Sequence, residues 1–115
     1  MELLHVYVDD EGDSHFGDID LPLFEGDLTP PSPSGYTITE PLEASSVTFM
    51  RTPAGYRDEW HPVPEPLLAI LLSGRLRMET SDGDARIIEP GQVLFHEDTW
   101  GNGHARPKSM AAATT

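Results

Sequence analysis

Two histidines far apart in the sequence, His61 and His104, have the clearest potential for chemistry. An imidazole titrates near neutral pH, so it can exchange a proton with a substrate, and in its neutral form it can bind a metal ion. His61 directly follows Trp60, and His104 ends a polar loop that contains Trp100. We predict that the two imidazoles face each other across one sheltered pocket and carry out catalysis there.

Acidic residues lie close to both histidines in the sequence. Glu97 and Asp98 precede His104 in the same loop, and Glu59 precedes His61. A carboxylate that accepts a hydrogen bond from an imidazole fixes its tautomer and raises its basicity. We therefore predict Glu97 and Asp98 as catalytic partners of the histidines. The alternative, that they only hold or solvate the loop, stays open at this point.

A small ligand beside these groups needs apolar walls, and aromatic side chains supply flat ones. The predicted ligand-binding residues are Trp60, Trp100, Phe95, Met78 and Leu76. The alternative for both tryptophans is ordinary packing. The remaining histidines, His5, His15 and His96, are predicted to be surface or strand residues without a chemical role.

Length and composition limit the classes of protein to consider. A chain of 115 residues suits one domain, predicted over residues 1–110 with a flexible tail at 111–115. Its 20 Asp and Glu against 7 Lys and Arg give a net charge of −13, which disfavours nucleic acid and anionic membranes as partners. The absence of Cys excludes disulfides and thiolate sites, and no apolar run is long enough to span a membrane. We predict a soluble, cytoplasmic protein.

Short strands are favoured over helices, because eleven Pro and ten Gly interrupt the chain and no segment has an apolar period of 3.6 residues. The N-terminal half is predicted to form strands over Leu3–Val8, Ser14–Leu23, Tyr36–Thr39 and Ser45–Arg51. The acidic residues of Ser14–Leu23 are typical of an edge strand. Three prolines in Thr29–Gly35 predict a loop.

The C-terminal half is predicted to form the strands Leu67–Leu72, Arg75–Thr80, Ala85–Ile88 and Val93–His96. The continuous apolar run of the first indicates a central strand covered on both faces. Alternation in the second turns Leu76 and Met78 inward. Turns are predicted at Ser81–Asp84 and at Glu89–Gly91.

Several of these features, in this order, resemble the two motifs of the cupin superfamily. The matching features are Gly55 before Trp60-His61, the Ser73-Gly74 turn, and Pro90-Gly91 before Gly103-His104. The resemblance covers residues 53–104 and implies an all-β fold, a small antiparallel β-barrel or jelly roll that holds a small organic ligand. It allows acid/base chemistry of the lyase, isomerase or cyclase type. A metal-dependent dioxygenase and a non-catalytic ligand-binding or sensing module are the alternatives.

The resemblance leaves the cofactor open. Cupin metal sites combine histidines with a carboxylate around Fe, Mn, Ni or Zn, and only His61 and His104 carry over as metal ligands, since Val63 and Pro66 stand at other ligand positions. His96 or Glu97 would complete the set if its strand turned it inward. Alternation places Leu94 with His96 on one face and Val93 with Phe95 on the other, without saying which face is inside. A divalent transition metal and no cofactor at all are both compatible with the sequence.

The end of the chain bears on assembly. Residues 105–115 contain almost no apolar strand former, which predicts a barrel with an open edge. Open edges pair with other chains, so we predict a homodimer in which Leu3–Val8 or Phe16–Leu23 completes the neighbouring sheet.

Overall fold

A computed structural model of the chain describes residues 1–26 and 36–106, together with the backbone of residues 113–114. Within these residues all regular structure is β-strand, and there is no helix. The strands are β1 (Glu2–Val8), β2 (Ser14–Asp20), β3 (Phe24–Glu25), β4 (Thr37–Ile38), β5 (Leu67–Ile70), β6 (Ser73–Gly74), β7 (Leu76–Thr80), β8 (Ala85–Ile88), β9 (Val93–His96), β10 (His104–Ala105) and β11 (Ala113–Thr114). The predicted all-β class is confirmed.

Two sheets form the body of the protein. The larger sheet has the strand order β2-β1-β9-β5, and the smaller one has the order β10-β7-β8. Two further pairs, β3 with β4 and β11 with β6, complete the described strands. No sheet closes into a barrel within this part of the chain.

The prediction of a purely antiparallel arrangement is wrong, because β1 and β9 run parallel with Leu4 opposite Leu94. Parallel neighbours require a long crossover connection, and here most of the chain lies between the two strands. Side-chain periodicity reports which face of a strand is apolar and carries no information about strand direction.

The core lies between the two sheets and draws on both. The larger sheet contributes Leu4, Val6, Phe16 and Leu94, and the smaller one contributes Leu76, Met78 and Ile88. Along β7 the buried residues alternate with half-buried ones, as period-two side-chain geometry requires, and in β1 the alternation holds from Leu4 to Val6, while Leu3 beside Leu4 is buried as well. The predicted inward orientation of Leu76 and Met78 is confirmed by exposed fractions of 7% and 3%.

Local hydrogen bonds explain why the tight turns form where the sequence predicts them. In the turn between β7 and β8, one carboxylate oxygen of Asp82 accepts hydrogen bonds from the Thr80 hydroxyl at 2.5 Å and the Asp84 amide at 3.1 Å. In the turn between β8 and β9, the Gln92 amide donates to the Glu89 carbonyl at 3.1 Å, with Gly91 at φ +87°. Short polar side chains thus specify the hairpin turn between β7 and β8, and a glycine in the left-handed region specifies the turn that leads from β8 into β9 of the other sheet.

The predicted strand Ser45–Arg51 does not form. The segment belongs to no sheet among the described residues, and Val47 and Phe49 are 80% and 84% exposed. An alternating pattern is sufficient for a strand only where a neighbouring edge is available to pair with it.

The run Leu67–Leu72 forms the strand β5 over its first four residues, but the prediction that both faces are covered is wrong. β5 lies at the edge of the larger sheet, and Leu68 and Ile70 are 44% and 53% exposed. Leu71 alone of this run is buried. An apolar run shows that a strand has apolar side chains to bury, but it does not show whether another element covers them.

Two of the remaining predicted strands are shorter in the structure than the sequence indicates. The strand from Ser14 ends at Asp20 and is an edge strand among the described residues, as its acidic residues indicated. The predicted strand Tyr36–Thr39 is shorter in the structure, where β4 covers Thr37–Ile38. The predicted loop Thr29–Gly35 lies outside the described residues, as does the predicted tail apart from β11. The described residues include no helix that would cross a membrane.

A histidine clamped between two carboxylates joins the β1–β2 hairpin to the β7–β8 hairpin. The His15 ring contacts the Asp9 carboxylate through Nε2 at 2.6 Å and the Asp82 carboxylate through Nδ1 at 2.9 Å. The hydrogen bond to Asp9 is the main cause that raises the pKa of His15 above 6.5, with Asp82 adding to it against partial burial. The His15 bond also lowers the pKa of Asp9, and the hydrogen bonds to Asp82 lower the pKa of Asp82 despite its burial.

The clamp predicts a pH window for its stabilising effect. A raised His15 pKa stabilises the fold below the ordinary value of 6.5 and loses this effect as pH rises through the folded value. The lowered pKa values of Asp9 and Asp82 stabilise the fold at pH values above 3.8, the ordinary pKa of Asp. This stabilisation is lost as pH falls through the pKa values of the folded protein. The unfolding free energy of the native chain minus that of His15→Gln, measured in urea, is therefore expected to be largest between these two values and to shrink on either side. A difference that stays constant with pH would contradict the clamp.

Candidate functional site

Three buried polar side chains meet where the two sheets face each other. His96 ends β9 in the larger sheet, Asp98 follows two residues later, and His104 begins β10 in the smaller sheet. Their exposed fractions are 4%, 0% and 4%. His96 shares the inward face of β9 with Leu94, so the strand alternation that directs Leu94 into the core also directs His96 there.

The segment that carries His61 is held against this loop by main-chain hydrogen bonds. The amides and carbonyls of His61 and His104 bond to each other at 3.1 and 3.0 Å, and the Val63 amide donates to the Asp98 carbonyl at 3.0 Å. The imidazole centroids of His61 and His104 are 4.8 Å apart as a result. The two histidines therefore lie side by side, His61 half-buried and His104 buried.

Gly103 makes this close approach of the two segments feasible. Its φ is +69°, and a Cβ at this position would overlap the carbonyl group of His61. Gly55, the glycine before Trp60-His61, also has a positive φ of +77° but has open space around it. Gly103 is thus required both for its backbone conformation and for the absence of a side chain.

Hydrogen bonds fix the tautomers of both histidines. His104 Nδ1 donates to Asp98 Oδ2 at 2.5 Å, and His61 Nδ1 donates to the main-chain carbonyl of Glu59 at 2.7 Å. A neutral imidazole whose Nδ1 carries the proton has its lone pair on Nε2. Each of the two histidines therefore has an Nε2 atom that can accept a proton or bind a metal ion.

His96 joins the group from the opposite sheet. Its ring centroid is 4.7 Å from that of His104, and its Nδ1 atom is 3.5 Å from Asp98 Oδ1. At this separation and geometry neither atom forms a hydrogen bond, and both are buried without a partner among the described residues. Buried polar atoms without partners are costly, so such a pair requires an explanation.

The electrostatics of the group follow from burial and from the contacts within it. Burial alone would raise the pKa of Asp98, but the hydrogen bond from His104, with a smaller effect of His96, lowers it to about 2. Burial is the main cause that lowers the pKa of His96, and the contact with Asp98 opposes this effect without cancelling it. At neutral pH Asp98 is therefore ionised and His96 is neutral.

Other residues predicted for the site lie elsewhere. Glu97 is exposed and bonds to His5 at 2.7 Å, and Phe95, beside His5, is only half-buried. Both therefore point away from the inward face that carries His96. Trp60 and Trp100 are 49% and 50% exposed and do not enclose a pocket by themselves. The predicted ligand-binding residues Leu76 and Met78 belong to the core cluster.

The sequence predicted His96 to be an ordinary strand residue and gave it a role as a metal ligand only on the condition that its strand turned it inward. Once Leu94 is recognised as a core residue, period-two alternation places His96 inside and Glu97 outside, and makes Asp98 the inward carboxylate. The Nδ1 or Nε2 atoms and carboxylate oxygens that His96, Asp98 and His104 offer as metal ligands lie within 4.8 Å of one another.

In comparisons with known proteins, no protein-family model, curated protein or solved structure matches this chain. The geometry of the site itself therefore carries the functional argument.

Replacement of Asp98 by Asn is expected to destabilise the protein at neutral pH. The pKa falls from 3.8 to about 2 on folding, so loss of the ionised carboxylate costs about 2 kcal/mol of unfolding free energy. Because the native contribution is lost as pH falls through this range, the difference between the two proteins should diminish towards pH 2. Denaturant unfolding measures both effects.

Glu97→Gln is the matched control, since it removes the adjacent but exposed carboxylate and should change stability by less than about 1 kcal/mol at neutral pH. Equal effects of the two substitutions would show that burial of Asp98 has no energetic importance.

Gly103→Ala is expected to separate the two segments of the site. The added methyl group overlaps the His61 carbonyl, so we expect a loss of about 3 kcal/mol or more, against about 1 kcal/mol for Gly55→Ala, which changes only the backbone preference. Thermal or denaturant unfolding gives the energies, and NMR contacts between the His61 and His104 rings report their separation. Preserved ring contacts with a cost no larger than that of Gly55→Ala would contradict this account of Gly103.

Proposed function

We propose that this protein is a small cupin-type domain that binds a divalent transition metal ion through His96, Asp98 and His104 and acts on a small organic molecule beside it. The observation that carries the proposal is the buried pair His96 Nδ1 and Asp98 Oδ1, which face each other without hydrogen bonds among the described residues. A cation bound by both atoms would satisfy them. The packing of two β-sheets around one core is compatible with a cupin jelly roll, and the Pro90-Gly91 and Gly103-His104 motifs favour that fold.

The types of donor support a transition metal. Two imidazoles and one carboxylate are the ligand set of many Fe(II) sites, and the same donors suit Mn, Ni and Zn. The chain has no Cys, so thiolate coordination is excluded. Ca and Mg prefer all-oxygen sites, which this group does not offer.

The protonation states also support metal binding. Metal ligands must be deprotonated, and protons compete with the ion for them. Asp98, with a pKa of about 2, is already ionised at neutral pH, and the lowered pKa of His96 keeps its imidazole neutral. The site therefore need not release a proton from either residue when a metal ion binds.

The distance between His96 Nδ1 and Asp98 Oδ1 fits a metal ion with tetrahedral coordination. With metal-ligand distances of about 2.1 Å, two ligand atoms 3.5 Å apart subtend an angle of about 113° at the ion, close to the tetrahedral value. Asp98 would then have two roles, since Oδ1 would face the ion while Oδ2 holds His104 at 2.5 Å. Carboxylates that orient a neighbouring imidazole in this way are typical of metal sites.

His61 lies beside this three-residue group and not within it. Its Nδ1 atom is occupied by the Glu59 carbonyl, so its Nε2 atom is available to accept a proton from a bound molecule. A bound metal ion would supply Lewis-acid polarisation of a carbonyl or hydroxyl group of that molecule. Together these roles favour proton-transfer reactions of the lyase, isomerase or cyclase type.

A second candidate function uses the same residues without metal. The 2.5 Å contact between His104 and the ionised Asp98 has the arrangement of a general base and its orienting carboxylate, with His61 as the second proton carrier. In that case His96 would have only a structural role. Metal content distinguishes the two candidates directly.

Metal binding is tested on the untagged chain after treatment with a chelator, by isothermal titration with Zn²⁺ at physiological salt. We expect one tight site per chain and an increase in melting temperature on binding. His96→Asn and Asp98→Asn should each weaken the tight site about a hundredfold or more, because each removes a ligand atom. Visible absorption of the Co²⁺ form provides an independent readout of the ligand set.

His5→Gln is the control, because it removes a histidine whose Nε2 atom bonds to the exposed Glu97 outside the group. This substitution should change neither the affinity of the tight site nor any weak metal binding by the acidic surface. Absence of a tight site, or a tight site unaffected by both His96→Asn and Asp98→Asn, would overturn the metal proposal and leave the metal-free candidate.

A further inference from the structure

Two apolar segments of the chain are exposed and able to form or extend a β-sheet. The first, residues 45–49, forms no regular secondary structure and exposes Val47 by 80% and Phe49 by 84%. No hydrogen bond in the described part of the chain joins Val47 or Phe49 to another element. We call this segment the arm.

The second segment is β5, the edge strand of the larger sheet. One side of β5 pairs with β9 through Leu67↔His96 to Ile70↔Val93, and no described strand pairs with the other side. Leu68 and Ile70 are about half-exposed on the outward face of the sheet, and Leu72, just beyond β5, is 63% exposed. An apolar edge strand with an unpaired row of main-chain groups is a template for another strand.

The charge distribution distinguishes both segments from the rest of the molecule. The chain has 20 acidic residues, yet residues 44–57 and 66–78 contain none, and each stretch includes two arginines. A net charge of −13 repels a second copy of the chain over most of the surface, but not at these two stretches. Edge strands that must stay unpaired usually carry charged residues, and the β5 strand carries none.

We propose that two copies of this chain form a symmetric dimer in which the arm of each copy pairs along the free edge of β5 of the other. The two segments belong to one chain but are not paired with each other in it. A second copy supplies both missing partners at once, which satisfies two arms and two edges with a single type of contact. No other partner is needed to account for both surfaces.

The exposed area agrees with a dimer. The six residues that carry the two surfaces are Val47, Phe49, Leu67, Leu68, Ile70 and Leu72. Taking about 200 Å² for each when fully exposed, they leave roughly 700 Å² of largely apolar surface per chain. A standard stable interface buries roughly 800 Å² per partner.

This arrangement differs from the dimer expected from the sequence. β1 lies between β2 and β9, so it has no free edge and does not complete a neighbouring sheet. β2 has a free edge among the described strands, but it contains Asp18 and Asp20, which make it a poor template for a second acidic chain.

The absence of Cys from the chain allows a direct test by crosslinking. Phe49→Cys chains labelled with ¹⁵N are mixed with unlabelled Ile70→Cys and, separately, Leu68→Cys chains, and are then oxidised. We expect a disulfide between a labelled and an unlabelled chain, identified by mass, in at least one mixture. Leu42→Cys, which is 53% exposed but lies outside the arm, replaces Phe49→Cys in the control and should crosslink at least tenfold less.

Sedimentation of the unmodified chain supplies the second readout, and we expect a dimer at micromolar concentrations. The double substitution Val47→Asp with Phe49→Asp should weaken the dimer at least tenfold, whereas Leu42→Asp should leave it intact. A monomer throughout this range would overturn the proposal. A chain carrying both Phe49→Cys and Ile70→Cys that forms its disulfide within one monomer would overturn it as well, since the arm would then cover its own sheet. None of these substitutions touches the proposed metal ligands, so the outcome is independent of the metal test.

Discussion

Burial of the Asp98 carboxylate is the constraint on which the site depends. A carboxylate with no exposed surface requires compensation, and the structure provides one charge-assisted hydrogen bond, from His104. Its other oxygen faces His96 without a hydrogen bond among the described residues. One Asp98 oxygen therefore has a partner among the described residues and the other, like His96 Nδ1, is buried without one.

The rest of the architecture serves to bring these groups together. β9 carries His96 and leads to Asp98, and β10 places His104 opposite Thr80 of the smaller sheet. Main-chain hydrogen bonds then attach residues 61–63 to this loop. A side-chain hydrogen bond from Arg106 to Asp58 at 2.9 Å joins the same two segments a few residues further along. Gly103 permits the approach, because any side chain there would collide with His61. The group of buried side chains is thus formed by the contact between two loops more than by any single strand.

The sequence predicts well those parts of the fold that depend on neighbours along the chain. The turns at Asp82 and Gly91 form because their side chains or backbone preferences act within a few residues, and the inward positions of Leu76 and Met78 follow from alternation. It fails where distant segments decide the outcome. The parallel pairing of β1 with β9, the edge position of β5 and the lack of a described partner strand for the arm all depend on which strands meet, and a local pattern does not contain that information.

The difference between local patterns and contacts of distant segments also explains which site residues the sequence could predict. From residue type the sequence predicted His61, His104 and Asp98 as site residues, but alternation alone could not decide whether His96 or Phe95 faces inward. That choice depends on Leu94 joining a core built from both sheets, which is known only once those sheets are assembled. Glu97 and Asp98, adjacent and chemically alike, therefore separate into an exposed partner of His5 and a buried partner of His104.

X-ray absorption at the zinc edge of the loaded protein tests the central claim most directly. The account predicts a first shell of nitrogen and oxygen only, at about 2.0–2.1 Å, with the outer-shell scattering of two imidazoles that falls to one when His96 is replaced by Asn. A spectrum of fully hydrated zinc, or one that His96→Asn leaves unchanged, would contradict it.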